Sequence, residues 1–464
     1  MIVNSKQRVC AMSNQLFERR EFLRIMGIGA AGLSAGGGEV FKEKDDSLTI
    51  SDDDSSDFTV EVLEGANYEY DATVLKQMSE KYNVFSRNIW DPERRRVMGR
   101  GLSYEHLVKG RGRIPDQTRL DYALSSGAWR FANSRTGAYD WGEKYRYRYD
   151  SKPWEPSDIG MTWKDASRVV KHAAKFYGAS LVGIAKLNPL WLYSDHYAPR
   201  RTDMERTIPV IRKGERFERG EDRWFIPESM NRVIVVAFEE DYYGIANSPG
   251  RLATAATGNG YSRMAFTAGS IAEFIRFLGY RAIPAGNNVG LSIPMAIDAG
   301  LGELGRNGLL VTPRFGPRVR IAKVITDMPL VTDSPIRFGV KEFCEVCKLC
   351  ADHCPSGSIT DGPQTWRGKS ISNNHGTLKW YIKPESCYDY NGFSCSNCKR
   401  VCPFSKPNNS WLHRMIRGVI QGKITLLDKI MVTFDQASGY GRKISDSEFW
   451  NSDGSRCITS REPK

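Results

Sequence analysis

Beyond its N-terminus this chain of 464 residues has no apolar run long enough to cross a bilayer, which takes about 20 residues without charges. Attachment to a membrane would have to be peripheral. A Walker loop is missing, and the 6 histidines are so scattered that no Ser-His-Asp arrangement can be read from them. His106, His172, His196, His375 and His413 read as structural or solvent-facing, and His353, set between two cysteines, could at most tune a potential through a hydrogen bond. The glycine-rich stretch Gly300-Leu-Gly-Glu-Leu-Gly-Arg-Asn-Gly308 lacks the setting of a dinucleotide loop, which needs a strand before it and a helix after it. Here a helical pattern precedes and a strand pattern follows, so NAD is excluded. No long basic block carries the net charge of +12, which is spread along the chain; a solvated surface is expected, and no nucleic-acid partner. Outside one segment there are two cysteines, Cys10 and Cys457, neither with a metal-like neighbour, which excludes a disulfide framework spread along the fold.

The other eight cysteines lie between 344 and 402. They read Cys344-Glu-Val-Cys347-Lys-Leu-Cys350-Ala-Asp-His-Cys354-Pro355, then Cys387, then Cys395-Ser-Asn-Cys398-Lys-Arg-Val-Cys402-Pro403. In the bacterial ferredoxin pattern three cysteines wrap one 4Fe-4S cluster and the fourth, before proline, reaches the other cluster. By that rule Cys344, Cys347, Cys350 and Cys402 hold one cluster, and Cys354, Cys387, Cys395 and Cys398 the second. Cys387 departs from the pattern, standing eight residues before Cys395 instead of three. Zinc sites usually pair their cysteines and leave two proline-terminated triads unexplained. Two clusters side by side form a short electron wire, so redox chemistry is expected elsewhere in the chain.

At 41% hydrophobic, the chain can bury a large core in two or three domains. Residues 1–41 form a twin-arginine export signal: Arg19-Arg20-Glu21-Phe22-Leu23-Arg24, then an uncharged, weakly apolar run ending in small residues, with cleavage expected between Gly36 and Lys44. That pathway moves folded proteins, which suits clusters assembled before export. Residues 42–160 are an acidic linker followed by an aromatic, arginine-rich region with Trp90, Trp129, Trp141, Trp154 and the run Tyr145-Arg-Tyr-Arg-Tyr149, which could cover an apolar pocket. Residues 161–335 alternate helices and strands, giving a layered α/β domain. Helices are expected at Trp163 to Tyr177, Ser262 to Leu278 and Pro294 to Ala299. Strands are expected at Ser180 to Ala185, Arg232 to Phe238, Tyr280 to Pro284, Leu309 to Thr312 and Val319 to Thr326, and the unbroken apolar run of the second suits burial on both faces. Residues 336–410 are the cluster module, and 411–464 a C-terminal segment.

An export signal, the turn Gly300-Leu-Gly-Glu-Leu-Gly-Arg-Asn-Gly-Leu-Leu-Val311 in an α/β domain, and a C-terminal double 4Fe-4S module together resemble the respiratory reductive dehalogenases, over essentially the whole length. The resemblance implies a nitroreductase-like corrinoid-binding domain followed by a ferredoxin-like module. It implies a base-off corrinoid with no protein histidine on cobalt, in keeping with the missing Asp-x-His-x-x-Gly motif, and Leu309, Leu310 and Val311 lining that corrinoid. Tyr261, Asn287 and Arg320 match the tyrosine, asparagine and arginine that the family places around its organohalide substrate, with Arg318 able to swap with Arg320, and Tyr242 and Tyr243 weaker competitors of Tyr261. A phenol with pKa near 10 is a poor acid, and a guanidinium close by favours its phenolate. The same resemblance implies a small integral membrane anchor subunit, a quinol-linked electron donor and a place on the outer face of the cytoplasmic membrane. Epoxyqueuosine reductase, a cytoplasmic enzyme of transfer RNA, shares the glycine turn and the cluster module, but has an aspartate donor where this chain has Asn287, and no use for an export signal. An exported ferredoxin-type electron carrier would not need the long α/β domain.

Overall fold

The computed structural model describes residues 60–99, 119–132, 137, 141, 160–391, 395–405 and, near the C-terminus, 432, 433, 435, 436, 439 and 441–451. The twin-arginine segment, Cys10, the acidic linker to residue 57, His106, the Tyr145 to Tyr149 run, Trp154, His413 and Cys457 lie outside the described residues.

The chain enters with a short strand, β1 (Glu61–Val62), and three helices, α1 (Val84–Trp90), α2 (Pro92–Gly99) and α3 (Arg119–Ala128). Asn83 caps α1 by accepting the Ser86 N–H at 2.8 Å, which satisfies one of the donors a helix start leaves open. Helix α4 (Trp163–Phe176) is capped the same way by Thr162, and its stripe of Ala166, Val170 and Ala174 is buried. Next come β2 (Leu181–Lys186), the small side-sheet strands β3 (Asp195–Tyr197), β4 (Thr207–Ile211), β5 (Glu218–Arg219) and β6 (Trp224–Phe225), and then β7 (Arg232–Glu239). After a short helix, α5 (Tyr242–Ala246), follow the long helix α6 (Arg251–Phe277), β8 (Ala282–Ala285), α7 (Ser292–Asp298), β9 (Glu303–Leu304), β10 (Leu310–Val311) and β11 (Val319–Thr326).

The central sheet has the order β2-β7-β11-β8, antiparallel throughout. Successive strand residues point to opposite faces. Val182, Ile184, Ile234, Val236, Phe238, Ala322 and Val324 pack with α4 and α6, while Ala185, Val233, Val235, Ala237, Ile321 and Ile325 pack with α7 on the other side. Both faces of β7 are therefore covered, and the unbroken apolar run of its sequence follows from that. Trp141 stacks on Phe217 and meets Trp224 edge-on in the second of these cores, so it is a packing residue.

Most expected elements shift by one or two residues at an end, and one differs by a large margin. Instead of starting at Ser262, α6 starts at Arg251, so Tyr261 sits within the helix and not at its beginning. Gly258 and Gly260 look like helix breakers in sequence, at roughly 1 kcal/mol each. In the structure each lies under a side chain that crosses the helix closely: a Cβ on Gly258 would stand 2.4 Å from Trp129 Cδ1, and one on Gly260 2.6 Å from Arg320 Cγ.

The cysteine segment opens on β12 (Ile336–Arg337), which pairs with β1. It continues as α8 (Val340–Cys347), α9 (Leu349–Asp352), α10 (Pro384–Asn391) and α11 (Asn397–Arg400). Lys348, with φ 51°, breaks α8 from α9, so Cys347 and Cys350 leave one helical path and can converge. A third core of Val311, Ile336, Phe338, Val340, Phe343, Cys402 and Phe404 packs this segment against β10. Among the described residues no helix is long and apolar enough to cross a membrane.

Candidate active site and cluster-binding segment

Three elements far apart in sequence bring Tyr261, Asn287 and Arg320 together. Tyr261 lies on α6, Asn287 on the loop after β8, and Arg320 on the α6-facing side of β11. Asn287 Nδ2 donates to Tyr261 Oη at 2.9 Å. Arg320 Nη1 donates to the same oxygen over a longer 3.4 Å, and the guanidinium carbon stands 4.8 Å from the centre of the tyrosine ring. Two donors thus converge on one phenol oxygen, and the hydroxyl hydrogen is committed to no acceptor among the described residues. The ring also stacks on Trp129, centroids 5.3 Å apart and planes 27° from parallel. Trp129 is itself fixed by its indole N–H, which donates to the Thr254 carbonyl at 3.1 Å.

The Asn287 loop is held hard. Val289 has φ 71°, a left-handed conformation that a β-branched residue adopts at a cost of roughly 1–3 kcal/mol. Asn288 Oδ1 accepts the Gly286 N–H at 2.9 Å, and the fully buried Lys323 donates to the Gly286 carbonyl and, at 2.9 Å, to Ser292 Oγ. Burial pulls the Lys323 ammonium down to about 7, with Glu80 opposing. Asn287 is exposed although Gly286, Asn288, Val289 and Gly290 beside it are buried. The Asn287 side chain is therefore exposed beside the half-buried Tyr261.

Behind Arg320 stands Glu240, fully buried just past the end of β7. Its Oε1 accepts from Arg320 Nε at 3.0 Å and from Thr257 Oγ1 at 3.1 Å, and its Oε2 accepts from Lys399 Nζ. Burial alone would push the Glu240 carboxyl up; Lys399 and Arg320 overcome this and hold it below the usual carboxylate range. Arg318 does not exchange with Arg320. It is fully buried, ion-paired to Glu239 at 3.1 Å, bonded to the Glu240 carbonyl at 2.6 Å and set over the Tyr242 ring. Sequence reading missed Glu240, Thr257, Trp129 as a ring partner, and Lys399. The available signals were the two helix glycines and an acidic pair closing an apolar strand.

Cys344, Cys347, Cys350 and Cys402 line one pocket with Arg306, Val311 and Phe404. Burial pushes the Cys402 thiol well up, and Cys344, Cys347 and Cys350 add to it. Cys398 is pushed up to about 12 by burial, against Lys399, with Cys395, Cys387 and Cys354 adding. Cys387 lies at the exposed edge of its set, yet burial of the thiol, then Cys395 and Cys354, push it up to about 11. Cys354 is the exception: burial raises it, but Ser356 Oγ and the Ser358 N–H at 3.3 Å outweigh that and lower it. The thiols thus crowd one another, Cys402 with Cys344, Cys347 and Cys350, and Cys398 with Cys395, Cys387 and Cys354, while Cys350 also feels Cys398 across the two groups. Four adjacent thiolates need positive metal between them, so this donor set fits iron–sulfur clusters. His353 Nδ1 is paired with the Leu349 carbonyl at 3.0 Å, inside its own helix end.

Arg306 joins the glycine turn to the first quartet. Its guanidinium donates to the carbonyls of Cys344, Thr360 and Gly362 at 2.8–2.9 Å and lies 4.5 Å from the Trp380 ring centre. Leu310 packs in the α7-side core, and Val311 packs in the third core against the cluster cavity, so their side chains are occupied by packing. Leu309, between them and the glycine turn, is half-buried.

Crowded thiols joined through Lys399, Glu240 and Arg320 to a tyrosine hydroxyl suit an iron–sulfur oxidoreductase. The family of 4Fe-4S double cluster binding domains matches residues 343–405. The tetrachloroethene reductive dehalogenase of Sulfurospirillum multivorans is 40% identical over 374 residues, 75% of this chain and 73% of that one. The tetrachloroethene reductive dehalogenase of Desulfitobacterium hafniense is 32% identical over 532 aligned residues, 93% of this chain and 95% of that one. A solved catabolic reductive dehalogenase, 19% identical, superposes with a TM-score of 0.60 over 83% of this chain; the match spans half the length of that protein and shows the shared fold. The chain belongs to the reductive dehalogenases, oxidoreductases that act on carbon–halogen bonds of small organohalides with a corrinoid and iron–sulfur clusters.

Proposed function

We propose that this enzyme reduces a small chlorinated ethene, replacing one chlorine by hydrogen, with Tyr261 as the proton donor. The substrate class is supported by the relatives named for tetrachloroethene. The observation that carries the catalytic reading is the Tyr261 oxygen accepting from both Asn287 and Arg320 while its own hydrogen stays uncommitted. When bound, the corrinoid supplies the electrons that break the carbon–halogen bond, and the two clusters relay electrons toward it. Overall R–Cl, two electrons and one proton give R–H and chloride.

The chain's own residues handle the proton and the charge. Tyr261 releases its proton to the carbon as chloride leaves, and the phenolate oxygen that forms already has two donors aimed at it. Arg320 supplies positive charge beside that oxygen, and Asn287, held by the strained loop, fixes its direction. Trp129 covers the ring and keeps water off that side. Leu309, Leu310 and Val311 would run along the corrinoid. Cys344, Cys347, Cys350 and Cys402 would hold one cluster, and Cys354, Cys387, Cys395 and Cys398 the other. The twin-arginine segment supports export and a peripheral place on the outer face of the membrane, with an integral anchor subunit and a quinol-linked donor delivering electrons.

The test is chloride release and product analysis with chemically reduced, corrinoid-loaded enzyme over chlorinated ethenes, ethanes and phenols. Turnover of tetrachloroethene or trichloroethene well above the other classes is expected. Turnover confined to phenols or ethanes would overturn the substrate assignment.

A further inference from the structure

We infer that Glu240 and Lys399 are positioning residues that set how much of the Arg320 charge acts on the Tyr261 hydroxyl. The inference rests on the reading of Tyr261 as proton donor. A buried arginine matched to one carboxylate forms a neutral pair, and little of its field remains for a third group. Here the single carboxylate of Glu240 is divided: Oε1 takes Arg320 Nε and Thr257, and Oε2 takes Lys399. Glu240 is 0% exposed and Lys399 5%, so water screens neither. Glu240 therefore shares its negative charge between Lys399 and Arg320 instead of giving all of it to Arg320, whose Nη1 faces Tyr261 Oη. Glu240 also fixes the direction, because with Nε on Glu240 and Nη2 on Thr257 the Nη1 edge is the one turned to the tyrosine. Without Lys399 the pair would be neutral and the hydroxyl proton would be held more tightly. Without the Glu240 charge both cations would be uncompensated and the proton held less tightly.

The groups facing Tyr261 come from several elements: Asn287 from the loop after β8, Arg320 from β11, and Trp129 from the segment after α3. Behind Arg320 stand Glu240 after β7 and Thr257 on α6, and the Cys398 thiol is the further ionisable group that Arg320 feels. Arg263, two residues along α6, is directed away, to the carbonyls of Glu239 and Gly178. Lys399 directly follows Cys398, so the same lysine joins the cysteine segment to the proton donor.

The experiment places 3-fluorotyrosine at position 261 of the loaded, substrate-free enzyme and follows its ¹⁹F resonance with pH, alongside the pH profile of turnover. Removing one buried unit charge a few ångströms behind Arg320 should move the midpoint by roughly one pH unit. Glu240→Gln should move it, and the alkaline fall of turnover, to lower pH; Lys399→Met should move both to higher pH. Lys399→Arg should keep the wild-type midpoint, and the double variant Glu240→Gln/Lys399→Met, which restores the net charge, should return close to it. Iron content checks each protein, and the double variant with Lys399→Arg carries the test if a single variant fails to assemble. Midpoints that stay put, or that move in the same direction for both single variants, would overturn the inference. The resonance needs no turnover, so the outcome is separate from that of the donor assignment, which fails instead if Tyr261→Phe keeps its rate.

Discussion

Asn287 Nδ2 donates to Tyr261 Oη at 2.9 Å, although one residue lies in the middle of a 27-residue helix and the other in a loop beyond the next strand. The contact depends on a buried lysine, a left-handed valine and an asparagine turn beneath it, so its geometry is fixed before any ligand arrives. Replacing Asn287 by Ala should therefore leave cofactor content unchanged and lower kcat about 10-fold or more, the worth of a hydrogen bond to a developing charge. Steady-state kinetics with metal analysis checks this; a change confined to KM would make Asn287 a substrate contact only.

The helix glycines give a sign test. In an exposed helix interior Gly to Ala stabilises by roughly 1 kcal/mol. Gly260→Ala and Gly258→Ala should instead lower thermal stability and activity together, because the new methyl meets Arg320 Cγ or Trp129 Cδ1. A rise in Tm with full activity for either would contradict the packing described.

Cluster content should respond by quartet. Cys402→Ser should reduce iron from about eight to about four per chain and remove one of two cluster signals in electron paramagnetic resonance. Arg306→Lys should leave eight cysteines yet make the same cluster easier to extract with a chelator, because an ammonium cannot span the three carbonyls of Cys344, Thr360 and Gly362. Equal lability of both clusters would put Arg306 elsewhere in the account.

Lys323 predicts a pH dependence of stability. Burial lowers its folded value to about 7 from the ordinary 10.5, so between these limits the unfolded chain holds a proton that the folded protein does not. Stability contributed by this site accordingly rises as pH increases from about 7 toward 10.5, and is lowest below 7. Lys323→Met should remove that slope from denaturant unfolding measured over the window; an unchanged slope would mean that the lysine stays charged in the fold.

Much of this was legible in the sequence. The cysteine spacing picks out the thiols that crowd in space, and the strand β11 has the bounds its apolar pattern suggests. Tyr261, Asn287 and Arg320 could be named but not joined. The first third of α6 was not legible, since Gly258 and Gly260 look like breakers until Trp129 and Arg320 are seen crossing them. Nor were Glu240 and Lys399: a buried charge pair between a strand end and a cysteine helix has no sequence period, and only the fold brings its members together. Val289 gives no hint of its left-handed backbone, because its side chain is that of an ordinary strand residue.

The most direct measurement is the turnover of Tyr261→Phe, which keeps the ring, its stacking on Trp129 and its place beneath Arg320 while removing the hydroxyl. With iron and cobalt equal to wild type, the rate should fall by at least ~100-fold, the contribution of general acid catalysis, and Tyr242→Phe and Tyr243→Phe should be mild by comparison. A near-normal rate in Tyr261→Phe with intact cofactors would contradict the assignment, since water or another group would then be delivering the proton.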